Sequence, residues 1–251
     1  MSVQIPRLVI PVSPFTPHDV VWDDEKIARY WDYLSKVPAA LKNCWSKQVG
    51  KALLQYVRRK RVLRGRILDY GCGPGFLVGE LLELVPEAVI YGVEYSEDSA
   101  KLVNHRFRRH PRFKGISLVT SPPTEYDDHY FDAVFFTETI EHIRAHERLE
   151  ALRELLRLLR PGGVVVVSTP NEEDLEASKA ICPDCGAVFH VVQHVTSWSR
   201  AGLQSIMEAA GFSTISCTST YLRSRPSLLR ALWDKIQKRH LPHLIYLGEA
   251  P

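Results

Sequence analysis

The sequence predicts an α/β fold: a doubly wound, mostly parallel sheet with helices on both faces and an antiparallel last strand. Three observations carry the parallel, helix-covered part of this reading. From Arg66 to Ser168, short apolar runs alternate with amphipathic stretches, the pattern of strands joined by crossover helices. Val164-Val165-Val166-Val167 has no polar alternation, so that strand is buried on both faces, as in a parallel sheet covered by helices. Finally, the run Ile67-Leu68-Asp69 breaks into Gly71-Cys72-Gly73-Pro74-Gly75 just before a helical pattern begins at Phe76. This strand–turn–helix order places a glycine-rich turn at the carboxyl end of a strand, where ligands gather in open α/β sheets.

The elements follow in order. Residues 1–20 are proline-rich and extended, an arm over the domain or a disordered lead. Helical patterns cover Asp23–Leu34 and Ala40–Arg59, the second with Leu41, Trp45, Val49, Leu53 and Val57 on one face. Strands are expected at Arg66–Asp69, Ala88–Glu94, Ile116–Thr120, Tyr130–Thr137 and Gly163–Ser168. Helices are expected between them at Phe76–Val85, Ser99–Arg109 and Glu147–Arg160. After an irregular stretch at 170–197 come a helix at Ser199–Ala210, a strand at Thr214–Tyr221, a helix at Pro226–Arg239 and a last strand at His243–Leu247. The order is Rossmann-like. It divides the chain into an N-terminal arm and helical lid, 1–60, and a cofactor-binding domain, 61–251, with a possible metal-binding insertion at 170–197.

Composition narrows the class. The 251 residues suffice for one α/β domain with additions. Lys+Arg 32 against Asp+Glu 29 gives a net charge of +3, too small to announce a nucleic-acid binder. The basic end Arg58-Arg59-Lys60-Arg61 is most simply a solvated helix terminus. No apolar run reaches transmembrane length, and Pro6, Pro11, Pro14 and Pro17 stand where a cleavable signal would need an apolar segment, so a cytoplasmic location is expected. Of five cysteines only Cys182 and Cys185 are closely spaced, which reads as metal or redox chemistry before a disulfide framework.

The glycine turn is a cofactor cradle, because glycine accepts positive φ and has no Cβ to block a ligand. A dinucleotide fingerprint would need another glycine at Phe76, which argues against NAD or FAD. The spacing Asp69-x-Gly71-x-Gly73-x-Gly75 resembles instead the first motif of class I S-adenosylmethionine (SAM)-dependent methyltransferases, and the resemblance extends over about residues 45–221. It implies that Asp69, Gly71, Cys72, Gly73 and Gly75 cradle the cofactor. Glu94 and Tyr95, in Gly92-Val93-Glu94-Tyr95-Ser96, fall where that family holds the ribose, and a carboxylate there can accept from two hydroxyls. Tyr130-Phe131-Asp132-Ala133-Val134 and Pro161-Gly162-Gly163 are further forms common in the family. The loop after the third strand departs from the usual acidic residue: it reads Thr120-Ser121-Pro122-Pro123, leaving adenine recognition to Ser121 or backbone.

Two polar constellations bear on chemistry. In Glu138-Thr139-Ile140-Glu141-His142, turn spacing would gather Glu138, Glu141 and His142 at the end of the fourth strand. In many small-molecule methyltransferases a similar Glu-His works without metal; here Glu138 would face the cofactor while His142, with Glu141, takes the catalytic role. The Glu-x-x-Glu-His form also resembles the divalent-metal site of small-RNA 3′-terminal 2′-O-methyltransferases and of ubiquinone-biosynthesis O-methyltransferases, in which a later His four residues before an aromatic completes the set. His194 precedes Trp198 by four. The second constellation is Cys182-Pro183-Asp184-Cys185-Gly186 followed by His190 and His194, a Cys-x2-Cys-x4-His-x3-His spacing close to a zinc knuckle. Both claim His194. Soft thiolates favour a structural zinc loop made of Cys182, Cys185, His190 and His194; the carboxylate–imidazole set would accept several metals.

The expected activity is transfer of a methyl group from SAM to a small-molecule oxygen, with zinc in the insertion. A metal-assisted RNA 2′-O-methyltransferase and a non-catalytic zinc-containing binding protein on the same fold are the alternatives. An RNA substrate could be held through the basic stretches Lys101–Arg109 and Arg223–His240, but solvated helix faces explain both more simply.

Overall fold

The computed structural model of the protein describes residues 16–119, 121–222 and 242–251. Its elements are β1 (His18–Asp19), α1 (Asp24–Leu34), α2 (Pro38–Asn43), α3 (Trp45–Arg58), β2 (Gly65–Tyr70), α4 (Phe76–Leu84), β3 (Ala88–Glu94), α5 (Glu97–Phe107), β4 (Phe113–Leu118), β5 (Phe131–Thr137), α6 (Arg148–Leu158), β6 (Leu159–Pro170), β7 (Lys179–Ile181), β8 (Ala187–His190), α7 (Arg200–Ala209), β9 (Ser213–Thr220) and β10 (His243–Glu249). Seven strands form one sheet in the order β4-β3-β2-β5-β6-β10-β9. β2 to β6 are mutually parallel, and β10 runs antiparallel to both β6 and β9. The strand order reverses at β2 and β5, whose register pairs Asp69 with Phe135, so the carboxyl ends of these two strands open the crevice of the fold.

Burial on both sheet faces follows from the uninterrupted apolar strands. On one side Leu53, Leu54 and Val57 of α3 and Leu77, Val78 and Leu81 of α4 pack on Ile67, Phe135 and Val166. On the other, Leu152 and Leu155 of α6 and Leu203 and Met207 of α7 pack on Leu68, Phe136 and Val167. Phe135 is fully buried at the centre of the sheet. Replacing it with alanine leaves a cavity that neighbours pinned by strand pairing cannot refill, so Phe135→Ala is expected to lower stability by about 3–5 kcal/mol in urea unfolding.

Several boundaries differ from those the periodicity predicts. The helical pattern at 40–59 is two helices, α2 and α3, divided at Cys44, whose ψ of 128° is extended. Asp23 starts α1 as its cap, accepting from the Lys26 N–H. The stretch at 170–197, read as irregular, contains the hairpin β7–β8, on which β1 pairs in parallel to make a separate three-stranded sheet. These strands are too short to show a period of two. The helix expected at Pro226–Arg239, the whole basic stretch Arg223–His240, and residues 1–15 of the arm lie outside the described residues. Among the described residues no helix is long and apolar enough to cross a membrane.

Candidate active site at the carboxyl ends of the central strands

The glycine turn is built as a cradle. Gly71, Gly73 and Gly75 all have positive φ, at 77°, 51° and 75°. They serve different ends. A Cβ on Gly71 would lie 2.6 Å from Oγ1 of Thr139, and one on Gly75 would lie 2.7 Å from Val103. These two glycines let neighbouring segments close in. A Cβ on Gly73 would meet nothing within 4 Å, so the turn presents bare backbone to open space there. The Gly71 and Cys72 N–H groups are tied to the Val93 carbonyl, at 2.8 and 3.1 Å. Cys72 itself is buried, with its thiol pushed well up by burial, which suits a packing residue.

Glu94 spans the cradle. Its Oε2 accepts from the Gly73 N–H at 2.6 Å and its Oε1 from the Ser96 N–H at 2.9 Å. The Tyr95 N–H also points at this carboxylate, and with about four acceptor sites it keeps capacity for a ligand hydroxyl. Burial raises its pKa, and the N–H groups of Ser96 and Gly73 oppose that rise. Asp69 is fully enclosed, and neither of its oxygens has a hydrogen-bond partner among the described residues. Burial, with Glu94 nearby, pushes its carboxyl up to about 8. An orphaned buried carboxyl beside an open glycine turn calls for a ligand with a donor to satisfy it.

The other predicted cofactor residues have mixed placements. Tyr95 turns to the N-terminal helix, its hydroxyl donating to the Asp24 carbonyl at 3.0 Å. Ser121 is exposed in a bend, with Thr120 outside the described residues. Glu138 has a positive φ of 48° at the head of β5 and accepts from the Ser168 hydroxyl at 2.8 Å. Non-glycine residues held there are uncommon and cluster at functional sites.

Beside the cradle, a short 3₁₀ turn at Ile140–His142 brings Glu141 and His142 inward. Glu141 is fully buried; its Oε2 accepts from the Thr169 hydroxyl at 2.9 Å, while Oε1 has no partner among the described residues. Desolvation pushes Glu138 up to about 8, and burial, with Glu138 adjacent, raises Glu141 well above the usual range. His142 is held down at about 3 by burial and by His194. Its Nδ1 lies 3.4 Å from the Gln193 carbonyl, which can only accept, so Nδ1 carries the proton and Nε2 presents a lone pair. That Nε2 and the Nε2 of His194 each lie 3.9 Å from Glu141 Oε1. Glu141, His142 and His194 thus form a group whose ligand atoms all fall within 4.8 Å of one another.

The predicted Cys182, Cys185, His190 and His194 set is not brought together. Neither cysteine joins any group of three or more candidate ligands among the described residues. The cysteines sit on the β7–β8 turn, where backbone N–H groups of Cys185 and Asp184 lower the Cys182 thiol. The four residues after Gly186 are strand β8, and an extended strand of four residues carries His190 roughly 13 Å away from the turn. A loop would have been needed to fold them back. The histidines meet carboxylates instead: Glu173, His190 and His194 form a second compact group.

Sequence reasoning also missed the groups that enclose this cluster. Trp31 of α1 stacks edge-on against His142, with ring centroids 4.9 Å apart, and its indole N–H donates to Gln193 Oε1 at 3.1 Å. The Gln193 amide in turn donates to the His142 carbonyl at 3.1 Å. Asp32 accepts from the Ser96 hydroxyl at 2.6 Å, tying α1 to the cradle. Only the amphipathic helix was visible in the sequence; its docking face was not.

The chain matches the model of the methyltransferase domain family over residues 33–217. It belongs to that family. It is 27% identical over 187 residues to malonyl-[acyl-carrier protein] O-methyltransferase of Methylococcus capsulatus, covering 73% of this chain and 65% of that enzyme. It is 30% identical over 109 residues to trans-aconitate 2-methyltransferase of Rhodopseudomonas palustris, covering 43% of this chain and 40% of the other. The chain therefore spans less than two thirds of these curated relatives. Among solved structures, the fold is similar to the [4+2]-cyclase SpnF, with a TM-score of 0.64, 19% identity and coverage of 98% and 99% of the two chains. It is also similar to the Burkholderia thailandensis 1,6-didemethyltoxoflavin-N1-methyltransferase solved with S-adenosylhomocysteine bound, with a TM-score of 0.60, 17% identity and 93% of each chain covered. The cradle of a methyltransferase domain holds SAM, and the orphaned Asp69, the open Gly73 and the remaining acceptor capacity of Glu94 fit that cofactor.

Proposed function

We propose that this chain transfers the methyl group of SAM to an oxygen of a small-molecule acceptor, assisted by a divalent cation held by Glu141, His142 and His194. The observation that carries the reading is the convergence of Glu141 Oε1, His142 Nε2 and His194 Nε2 at the head of β5. Thr139, which packs on Gly71 of the cradle, lies in the same turn.

SAM supplies a methyl already made electrophilic by its sulfonium. The chain's residues then have to orient donor and acceptor and exclude water. Gly73 and Glu94 seat the cofactor, and Asp69 accepts from it. The cation supplies positive charge that favours loss of the acceptor's hydroxyl proton. Glu138, in the same turn as the cluster, would receive that proton in its ionised form, which grows as the pH rises towards its raised pKa of about 8. Zinc is one of several metals that a carboxylate–imidazole set accepts. α1, with Trp31 against His142 and Asp32 on Ser96, acts as a lid that favours a small acceptor. A cytoplasmic location and the 1–60 lid with a 61–251 catalytic unit are parts of the same proposal.

The test incubates the protein with labelled SAM and cell extract, then sorts the label into small-molecule, RNA, protein and lipid fractions. Label is expected in a small molecule as a methyl ether or ester. Label in the 2′-oxygens of RNA would favour the RNA reading, which the shared Glu-x-x-Glu-His pattern keeps in view, and no transfer with SAM bound would favour a binding protein. Removing metal with a chelator is expected to lower turnover more than 10-fold, with activity returning on adding back the cation.

A further inference from the structure

His190 and His194 stack with ring centroids 4.7 Å apart and planes at 14°, yet their nitrogens are used in opposite ways. Nδ1 of His190 accepts backbone N–H groups from Val192, at 3.3 Å, and from His194, at 3.2 Å. A backbone N–H only donates, so this Nδ1 bears the lone pair and the ring proton sits on Nε2. Nε2 of His190 lies 3.5 Å from Oε1 of Glu173. A protonated nitrogen is no metal ligand; it is a donor facing a carboxylate.

Glu173 meets His194 with its other oxygen. Oε2 lies 2.5 Å from Nδ1 of His194. A carboxylate only accepts, so Nδ1 of His194 carries the proton and Nε2 is left with a lone pair, the atom 3.9 Å from Glu141 Oε1. The backbone leading to Glu173 is pinned: Asn171 forms a bridge with Trp198, and the Glu172 N–H donates to the Trp198 carbonyl at 2.8 Å. His142 reaches the same tautomer through the Gln193 carbonyl. Metal-binding histidines almost always donate their second ring N–H to a carboxylate or carbonyl, which fixes the ring and raises its basicity.

We infer that Glu173, faced by the Nε2–H of His190, is a positioning residue that holds His194 with Nδ1 protonated and Nε2 presented to the cation. This rests on the cation site proposed above. It reassigns His190 from ligand to support, and gives Glu173 a role that the sequence motifs do not show.

The test uses full-length protein labelled with 15N-histidine and has two arms. In the first, long-range 1H–15N spectra of metal-free protein read which ring nitrogen is protonated. His194 is expected to show a protonated Nδ1 in wild type and to lose that single tautomer in Glu173→Ala, while His142 is unchanged. In the second, calorimetry with zinc chloride reads affinity, expected to fall about 10–100-fold in Glu173→Ala and to recover largely in Glu173→Gln, whose side-chain oxygen still accepts. Unchanged His194 signals in Glu173→Ala would overturn the inference. So would loss of zinc as complete as in His194→Ala without a tautomer change, which would make Glu173 a ligand. If wild type binds neither zinc nor manganese, the cation reading fails, and the spectra of metal-free protein still decide the role of Glu173.

Discussion

Gly73→Arg is expected to abolish SAM and S-adenosylhomocysteine binding, a loss of more than about 100-fold in calorimetric affinity, while leaving the protein folded. At this position φ is 51° and an added Cβ meets nothing within 4 Å, so the side chain enters the space the cradle leaves open and not the core. The left-handed backbone penalty of about 1–2 kcal/mol is small against the stability of a domain this size. Gly75→Ala should behave in the opposite sense. Its Cβ would stand 2.7 Å from buried Val103, so the cost falls on folding, and a lowered unfolding midpoint should accompany any loss of binding. Full cofactor affinity in Gly73→Arg would refute the assignment of this turn.

The second large effect is expected at Glu141. Glu141→Gln keeps the shape and the hydrogen bond from the Thr169 hydroxyl but removes the ionisable oxygen that faces His142 and His194 and that a bound cation would hold as a carboxylate. Metal content after dialysis should fall from stoichiometric to near zero, and methyl transfer should drop by about 10²–10⁴, the range of a lost charged group at a reacting centre. The cofactor's affinity should change little, because Glu141 lies beyond the cradle. Cys182→Ala supplies the contrast. The thiols stand at the far end of β8 from His190, so metal at the Glu141 site should be retained in full. Metal that disappears with Cys182 and persists in Glu141→Gln would return the site to the thiolates.

The glycine turn and Glu94 were legible because their spacing encodes a local geometry: strand, tight turn and helix start within ten residues, then the next strand end. Glu138, Glu141 and His142 were legible for the same reason, being gathered by one turn. The ligand set for His194 was not. Linear spacing treats 186–194 as a loop that can fold back, whereas β7 pairs with β8 and extends it. Pairing between strands of three and four residues depends on a partner elsewhere in the chain, and no period of two can announce it. Glu173 was invisible for a related reason. Its place is set by the Asn171–Trp198 bridge, a contact between residues distant in sequence.

By itself the sequence determined the helix-covered parallel strands and the cofactor cradle, since hydrophobic period and glycine placement act over a few residues and survive without knowledge of neighbours. The antiparallel direction of the last strand is set by its pairing with β6 and β9. Only the tertiary structure decided which ring nitrogen of His142, His190 and His194 carries the proton, which carboxylate His194 meets and that Trp31 covers His142. Those depend on hydrogen-bond direction and on packing between segments separated by twenty to a hundred and sixty residues, where chain order carries no information about distance.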